Sequence, residues 1–245
     1  MPRPELNWSP CAAPPPLGSG GIHVWAFPIE PEPDELNRLA AHLSPEEMDR
    51  ANQFRFPRLR ERYIAGRGRL RLLLGRYLEF EPAQLRFDFT PRGKPLLSQS
   101  GIHFNLAHSN ELALLAITKA APVGVDLELI RPMPDGLEIA RRFFAAGEVA
   151  GFDKVTANAR DEAFFNLWTR KEAWLKATGD GISESLSKVE LTFRAGEIPR
   201  VLAIDGDVSA AEEWSLHHLQ PANGFVGALA IPCRDVRLNC WAITN

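Results

Sequence analysis

Two pairs of charged residues stand in settings that favour chemistry. Asp126 and Glu128 interrupt 123-VGVDLELI-130, one of the most apolar runs in the chain. In a strand, residues two apart project to the same side, so the two carboxylates would lie together. At about 4 Å and an effective dielectric near 20 they would repel by ~4 kcal/mol. A hard divalent cation removes that penalty, and Mg²⁺ is held by a few carboxylates with water and phosphate oxygens. The second pair, Glu172 and Lys176, lies in 159-ARDEAFFNLWTRKEAWLKATGDGI-182. Phe164, Leu167, Trp168, Trp174 and Leu175 recur there at helical spacing, and Gly179 and Gly181 act as stop signals. Four residues apart, Glu172 and Lys176 become neighbours on one side of the helix, with Lys171 beside them. Asp126, Glu128 and Glu172 are therefore a candidate Mg²⁺ set, and three oxygen ligands suit Mn²⁺ as well. Plainer readings remain open: a surface ion pair on an amphipathic helix, and an edge strand with one solvated face.

The two stretches together, V-G-V-D-L-E at 123–128 and W-T-R-K-E-A-W-L-K at 168–176, resemble the signature of the 4′-phosphopantetheinyl transferase superfamily. The likeness is to its long single-chain branch, the surfactin-synthetase-activating type, and extends through G-K-P-L-L (93–97) and F-N-L-A-H-S (104–109). It implies transfer of the phosphopantetheine arm of coenzyme A to a serine of an acyl or peptidyl carrier protein, with release of 3′,5′-ADP. It further implies that Asp126, Glu128 and Glu172 hold the metal, that Glu172 is the base, directly or through a metal-bound water, and that Lys176 stabilises or protonates the departing phosphate with help from Lys171. The loop Gly93-Lys94-Pro95 would touch coenzyme A, Lys94 through a phosphate, and His108 would meet the 3′-phosphate. Arg58 and Arg62 would join them at the nucleotide end. Many relatives carry Ser where Ala107 stands, so one hydroxyl contact is absent here. The residues alone leave two rivals: another Mg²⁺-dependent enzyme acting on pyrophosphates, and an inactive module that binds coenzyme A or a carrier.

Bulk composition narrows the classes. A chain of 245 residues, 45% hydrophobic and 24% charged, suits one large or two small globular domains. A net charge of −3 gives no reason to expect nucleic-acid binding. Cys11, Cys233 and Cys240 lack ligand spacing and read as reduced thiols. No run reaches membrane-spanning length, so a cytoplasmic protein is expected, with no membrane partner.

These residues need elements to hold them. Residues 1–21, rich in Pro and Gly, read as a flexible leader. A strand follows at 22–29, then helices opening at Pro33, at Ser44-Pro45-Glu46-Glu47 (a capping box) and over about 58–79. In the last of these Leu59, Tyr63, Gly66, Leu70, Leu73 and Tyr77 make a stripe facing a core. The span 50–76 holds nine arginines against the single acid Glu61, either a solvated face or an anion site, since Arg forks match phosphate oxygens. Strands are expected at 84–90, 102–107 and 111–118. After a seam at Ala121-Pro122 the order repeats: strand 123–130, helices near 136–145, 147–155 and 159–178, and strands at 188–194, 200–204, 213–219, 224–231 and 235–243. The predicted fold is α+β, with halves 22–122 and 123–245, each a strand, three helices and a three-stranded antiparallel sheet, related by pseudo-twofold symmetry. The active site belongs at their junction, and with both halves on one chain a monomer is expected. Arg131, Arg141 and Arg142, just beyond the acidic strand, are candidates to dock an acidic carrier helix. The adjacent His217 and His218 would face opposite ways in a strand and read as structural.

Overall fold

The computed structural model describes residues 8–11, 14–97, 100–179 and 186–243. Strand β1 is Ser9–Pro10 and β2 is Gly21–Pro28, followed by helices α1 (Pro33–Ala40), α2 (Pro45–Asn52) and α3 (Pro57–Leu78). The hairpin β3 (Asp88–Phe89) and β4 (Pro95–Leu96) leads to β5 (His103–Ser109) and β6 (Leu112–Thr118). The second half runs β7 (Gly124–Leu129), α4 (Gly136–Phe143), α5 (Ala146–Phe152), α6 (Arg160–Thr178), β8 (Val189–Leu191), β9 (Val201–Ile204), α7 (Val208–Ala211), β10 (Ser215–Leu219), β11 (Phe225–Ile231) and β12 (Arg237–Ala242).

The halves repeat in topology as well as in element order. In the first, the antiparallel strands lie in the order β2-β6-β5; in the second, β7-β11-β10. Each places its opening strand beside its last hairpin strand. The predicted α+β fold with two similar sheets is what the chain adopts.

Local chemistry explains most of the elements. Ser44 Oγ accepts from the Glu47 N–H at 3.3 Å while Glu47 Oε2 accepts from the Ser44 N–H at 3.1 Å, the capping box expected for α2. Gly179, in the left-handed region at φ 81°, ends α6, donating to the Leu175 carbonyl; Gly181 lies outside the described residues. The strand expected over 84–90 shrinks to Asp88–Phe89. Pro82 opens a 3₁₀ turn there, and Arg71 Nη1 draws the Pro82 and Leu85 carbonyls away from any ladder. Helix α7 went unforeseen; the Asp207 side chain caps it, accepting from the Ser209 and Ala210 N–H groups.

Two departures from a simple pair of halves matter. Strand β12 leaves the second half and inserts between β1 and β2, parallel to both. Residues 8–11 of the expected leader therefore hold a packed element: Ser9–Pro10 pairs with Trp241–Ala242, and Trp8 rests against the core between the sheets. The second departure lies where the sheets meet. Edge strands β5 and β7 run side by side without a backbone ladder. Instead, Asn105 Oδ1 accepts from the Val125 N–H at 2.8 Å and Ser109 Oγ from the Leu129 N–H at 3.2 Å. The equal spacing of those pairs gives the two strands a common direction.

Candidate active site

The site is built on the face-to-face approach of β7 and α6. Gly124 makes that approach possible. A Cβ on it would collide with the Ala173 carbonyl and the Ala177 N–H, so the strand lies on the helix backbone with alanines opposite. Three side chains then meet. Asp126 Oδ1 receives Lys176 Nζ at 2.6 Å, and the same ammonium reaches the Val125 carbonyl at 3.3 Å. Asp126 and Glu172 are each only 7% exposed, and Asp126 Oδ2 and Glu172 Oε1 are buried with no hydrogen-bond partner.

Orphaned carboxylate oxygens are costly, and the acidities reflect it. Burial pushes Asp126 up to about 6; Lys176 opposes this and Glu128 adds to it. Glu172 is pushed up to about 7, first by burial and then by the charge of Asp126, with Lys176 opposing and Glu128 adding a smaller push. Glu128 has other partners: its Oε2 accepts from Ser109 Oγ and from Arg131 Nη1, both at 3.1 Å. Arg131 in turn lies over the Phe165 ring at 4.8 Å. The expected convergence of three carboxylates is thus partial. Among the described residues no three acids, histidines or cysteines form a ready-made metal cage. The donor set nonetheless fits a hard cation, because Asp126 Oδ2 and Glu172 Oε1 are buried oxygens without a hydrogen-bond donor.

Lys171 does not belong to this group. Adjacent to Glu172 in sequence, it projects from a different side of α6 and is fully buried. Its Nζ binds Glu148 Oε2 at 2.7 Å and the Leu186 and Val189 carbonyls at 2.6 Å each. With those three acceptors its donors are used, so the expectation that it assists at coenzyme A is corrected to an internal tie.

The other expected binding residues fall into separate places. Arg58 and Arg62 both hold Glu30, each at 2.6 Å, just beyond the end of β2. His108 is exposed on β5; partial dehydration, with the charges of Lys176 and Arg62, lowers its pKa, while Glu128 works against that shift. Gly93 and Pro95 line a pocket of about 540 Å³ with Arg50, Tyr63, Arg67, Arg71, Arg86, Phe87 and Phe89. Four arginines against Glu46 and Glu47 leave it cationic. Arg67 and Arg71 share Glu47 and flank Phe87, at 4.6 and 5.0 Å from its centroid. Arg58 and Arg62 lie outside this pocket, whose lining carries Arg50, Arg67, Arg71 and Arg86. The available signal was the four-residue spacing of Arg67 and Arg71 on one side of α3. Asn105 and Ser109 were also passed over, although polar residues four apart in an apolar strand mark one strand face.

A seam between two α+β halves, with a buried acid–lysine cluster beside a cationic pocket, defines a protein equipped to handle a phosphorylated ligand. Comparison with known proteins narrows this. The family model of the 4′-phosphopantetheinyl transferase superfamily matches residues 122–230, and that of the 4′-phosphopantetheinyl transferase N-terminal region matches 28–120. The 4′-phosphopantetheinyl transferase HetI of Nostoc sp. is 41% identical over 219 residues, covering 88% of this chain and 89% of its own. Sfp, the 4′-phosphopantetheinyl transferase of Bacillus subtilis (strain 168), is 29% identical over 151 residues, 61% of this chain and 66% of its own. Among solved structures, holo-[acyl-carrier-protein] synthase of Thermotoga maritima matches 45% of this chain and 62% of its own, at TM-score 0.36 and 23% identity. The chain belongs to the 4′-phosphopantetheinyl transferase superfamily.

Proposed function

We propose that the protein transfers the 4′-phosphopantetheine arm of coenzyme A to a serine hydroxyl of an acyl or peptidyl carrier protein. The observation that carries this reading is the buried Asp126–Lys176–Glu172 cluster, held at the seam of the halves with two carboxylate oxygens unsatisfied. The serine oxygen attacks the phosphorus bearing pantetheine, a new O–P bond forms, and the bond to the oxygen of 3′,5′-ADP breaks. Glu172, raised to about 7, is poised near neutral pH and takes the serine proton. Lys176, oriented by Asp126, offsets the negative charge on the departing phosphate. Asp126, Glu172 and Glu128 would hold Mg²⁺ or Mn²⁺, which when bound supplies Lewis acidity toward the pyrophosphate.

The arginine-lined pocket suits the nucleotide end, with Phe89 offering an exposed ring at its rim. Arg50 and Arg86 are exposed there and are spared from the internal ion pairs of Arg67 and Arg71. Replacing both with alanine is expected to raise the KM for coenzyme A about tenfold or more with kcat retained. The same replacement of Arg58 and Arg62, which already share the Glu30 carboxylate, should do less. Steady-state kinetics on the two double variants decides between the sets.

Arg141 and Arg142 are exposed on α4, which packs on α6. Reversing both to Glu is expected to raise the KM for the carrier about tenfold while leaving that for coenzyme A unchanged; an unaltered carrier KM removes them from the docking surface. Both halves of the site lie on one chain, which supports a monomer of two halves, 22–122 and 123–245, with β12 of the second completing the sheet of the first. Three cysteines without disulfides support a cytoplasmic setting. No described helix is long and apolar enough to cross a membrane.

The reading is tested by incubating the protein with an unmodified carrier, coenzyme A and Mg²⁺ and weighing the carrier. A gain of one phosphopantetheine arm is expected. Cleavage of coenzyme A with an unchanged carrier would indicate a pyrophosphate hydrolase instead.

A further inference from the structure

The loop between β3 and β4 is constructed to aim one side chain. Gly93, at φ 82°, closes a turn by donating to the Thr90 carbonyl at 2.8 Å, and the Thr90 N–H returns to the Lys94 carbonyl at 2.9 Å. The Lys94 N–H adds a bond to Thr90 Oγ1 at 3.0 Å. Neighbouring residues of this loop therefore face different structures. Gly93 and Pro95 line the arginine pocket of the first half. Lys94 reaches into the second half, where its Nζ donates to the Val123 carbonyl at 3.1 Å and to the Lys176 carbonyl.

Both acceptors are placed to matter. Val123 leads into β7 three residues before Asp126. Lys176 is in the last turn of α6, whose final carbonyls lack helical partners and carry the negative end of the helix dipole. An ammonium there ties strand and helix to the other half at the point where Asp126 and Lys176 meet. Burial, with Lys176 nearby, lowers the Lys94 pKa to about 8, as expected of a cation withdrawn from water.

We propose that Lys94 is a positioning residue rather than a phosphate ligand: it fixes the last turn of α6 against β7 and links the seat of the nucleotide to the acid cluster. The inference rests on the transferase reading for its kinetic consequence but not for its structural one. It differs from the role the family resemblance implies for Lys94, in which the side chain meets a phosphate directly.

The test compares Lys94→Met, which keeps the apolar stem and removes the donors, with Lys94→Arg, which keeps the charge. Three quantities are measured after thermal melting shows both variants folded: the calorimetric Kd for coenzyme A, kcat at saturating coenzyme A, and amide hydrogen exchange over residues 174–178 without ligand. For Lys94→Met we expect Kd within about threefold of the parent, kcat down by about ten- to a hundredfold, and exchange in that turn faster by about tenfold. Lys94→Arg should recover part of kcat. A Kd weakened tenfold or more with kcat preserved would make Lys94 a direct ligand and overturn the proposal. Unchanged exchange and unchanged kcat would overturn it equally. If the parent protein modifies no carrier, the transferase reading fails, and the exchange measurement alone still decides the role of Lys94.

Discussion

Replacing Glu172 by glutamine is expected to lower transfer about a thousandfold and, in metal-free buffer above neutral pH, to raise stability. The first effect follows from removing the proton acceptor, whose contribution in general-base catalysis is typically of that size. The second follows from linkage. Glu172 has a folded pKa of about 7, above the ordinary glutamate range, chiefly through burial and the charge of Asp126. A carboxyl so raised favours the folded state while protonated, and that advantage is lost as pH climbs from near 4 to about 7. Asp126, pushed up to about 6, loses stability in the same direction over a narrower window. The wild-type protein should therefore weaken across this range. The glutamine variant should weaken less, ending of the order of 1–3 kcal/mol more stable at pH 8. Urea denaturation at pH 4 and pH 8 with a chelator present checks it: coincidence at low pH and divergence at high pH are expected. Adding Mg²⁺ or Mn²⁺ should stabilise the wild type more than the variant, because the cation binds the folded carboxylates. A variant that keeps full activity would remove Glu172 from the chemistry.

Gly124→Ala is expected to cost about 3 kcal/mol or more and to cripple whatever protein still folds. The added methyl has nowhere to go. Its nearest atoms are the Ala173 carbonyl and the Ala177 N–H, main-chain atoms of the helix that cannot swing aside as a side chain would. The strand must move off α6, carrying Asp126 away from Lys176 and Glu172. A displacement near 1 Å is enough to lower kcat about a hundredfold. Denaturation midpoints and kcat measured at a temperature where the variant is folded give both numbers. Stability equal to the parent's would mean that the contact between strand and helix is looser than described.

Much of this site was legible because its rules are local. Asp126 and Glu128 in an apolar strand, and Glu172 four residues before Lys176, follow from strand and helix periods, and the structure brings Asp126, Glu172 and Lys176 together. Lys171 shows where that reasoning stops. The resemblance implied a task for Lys171 beside Lys176, yet consecutive helical residues point about 100° apart, and Lys171, next to Glu172, turns instead toward Glu148. The arginines of α3 show a related limit. Position on a helix does not tell which acid stands opposite, and Glu30 and Glu47 divide them between two faces. The capping box of α2 was visible in sequence, but not that its Glu47 would also anchor Arg67 and Arg71. Strand β12 was expected as an element without its destination. A parallel pairing between strands this far apart in sequence leaves no mark in local periodicity.

That last strand bears on how the protein is made. During synthesis β2 emerges before β6 and pairs with it, but its other edge stays open until Arg237–Ala242 leave the ribosome. Until then the growing chain exposes an unpaired apolar edge, the kind of surface on which nascent chains associate. Closure of the first half thus waits on a strand that follows the whole second sheet in sequence.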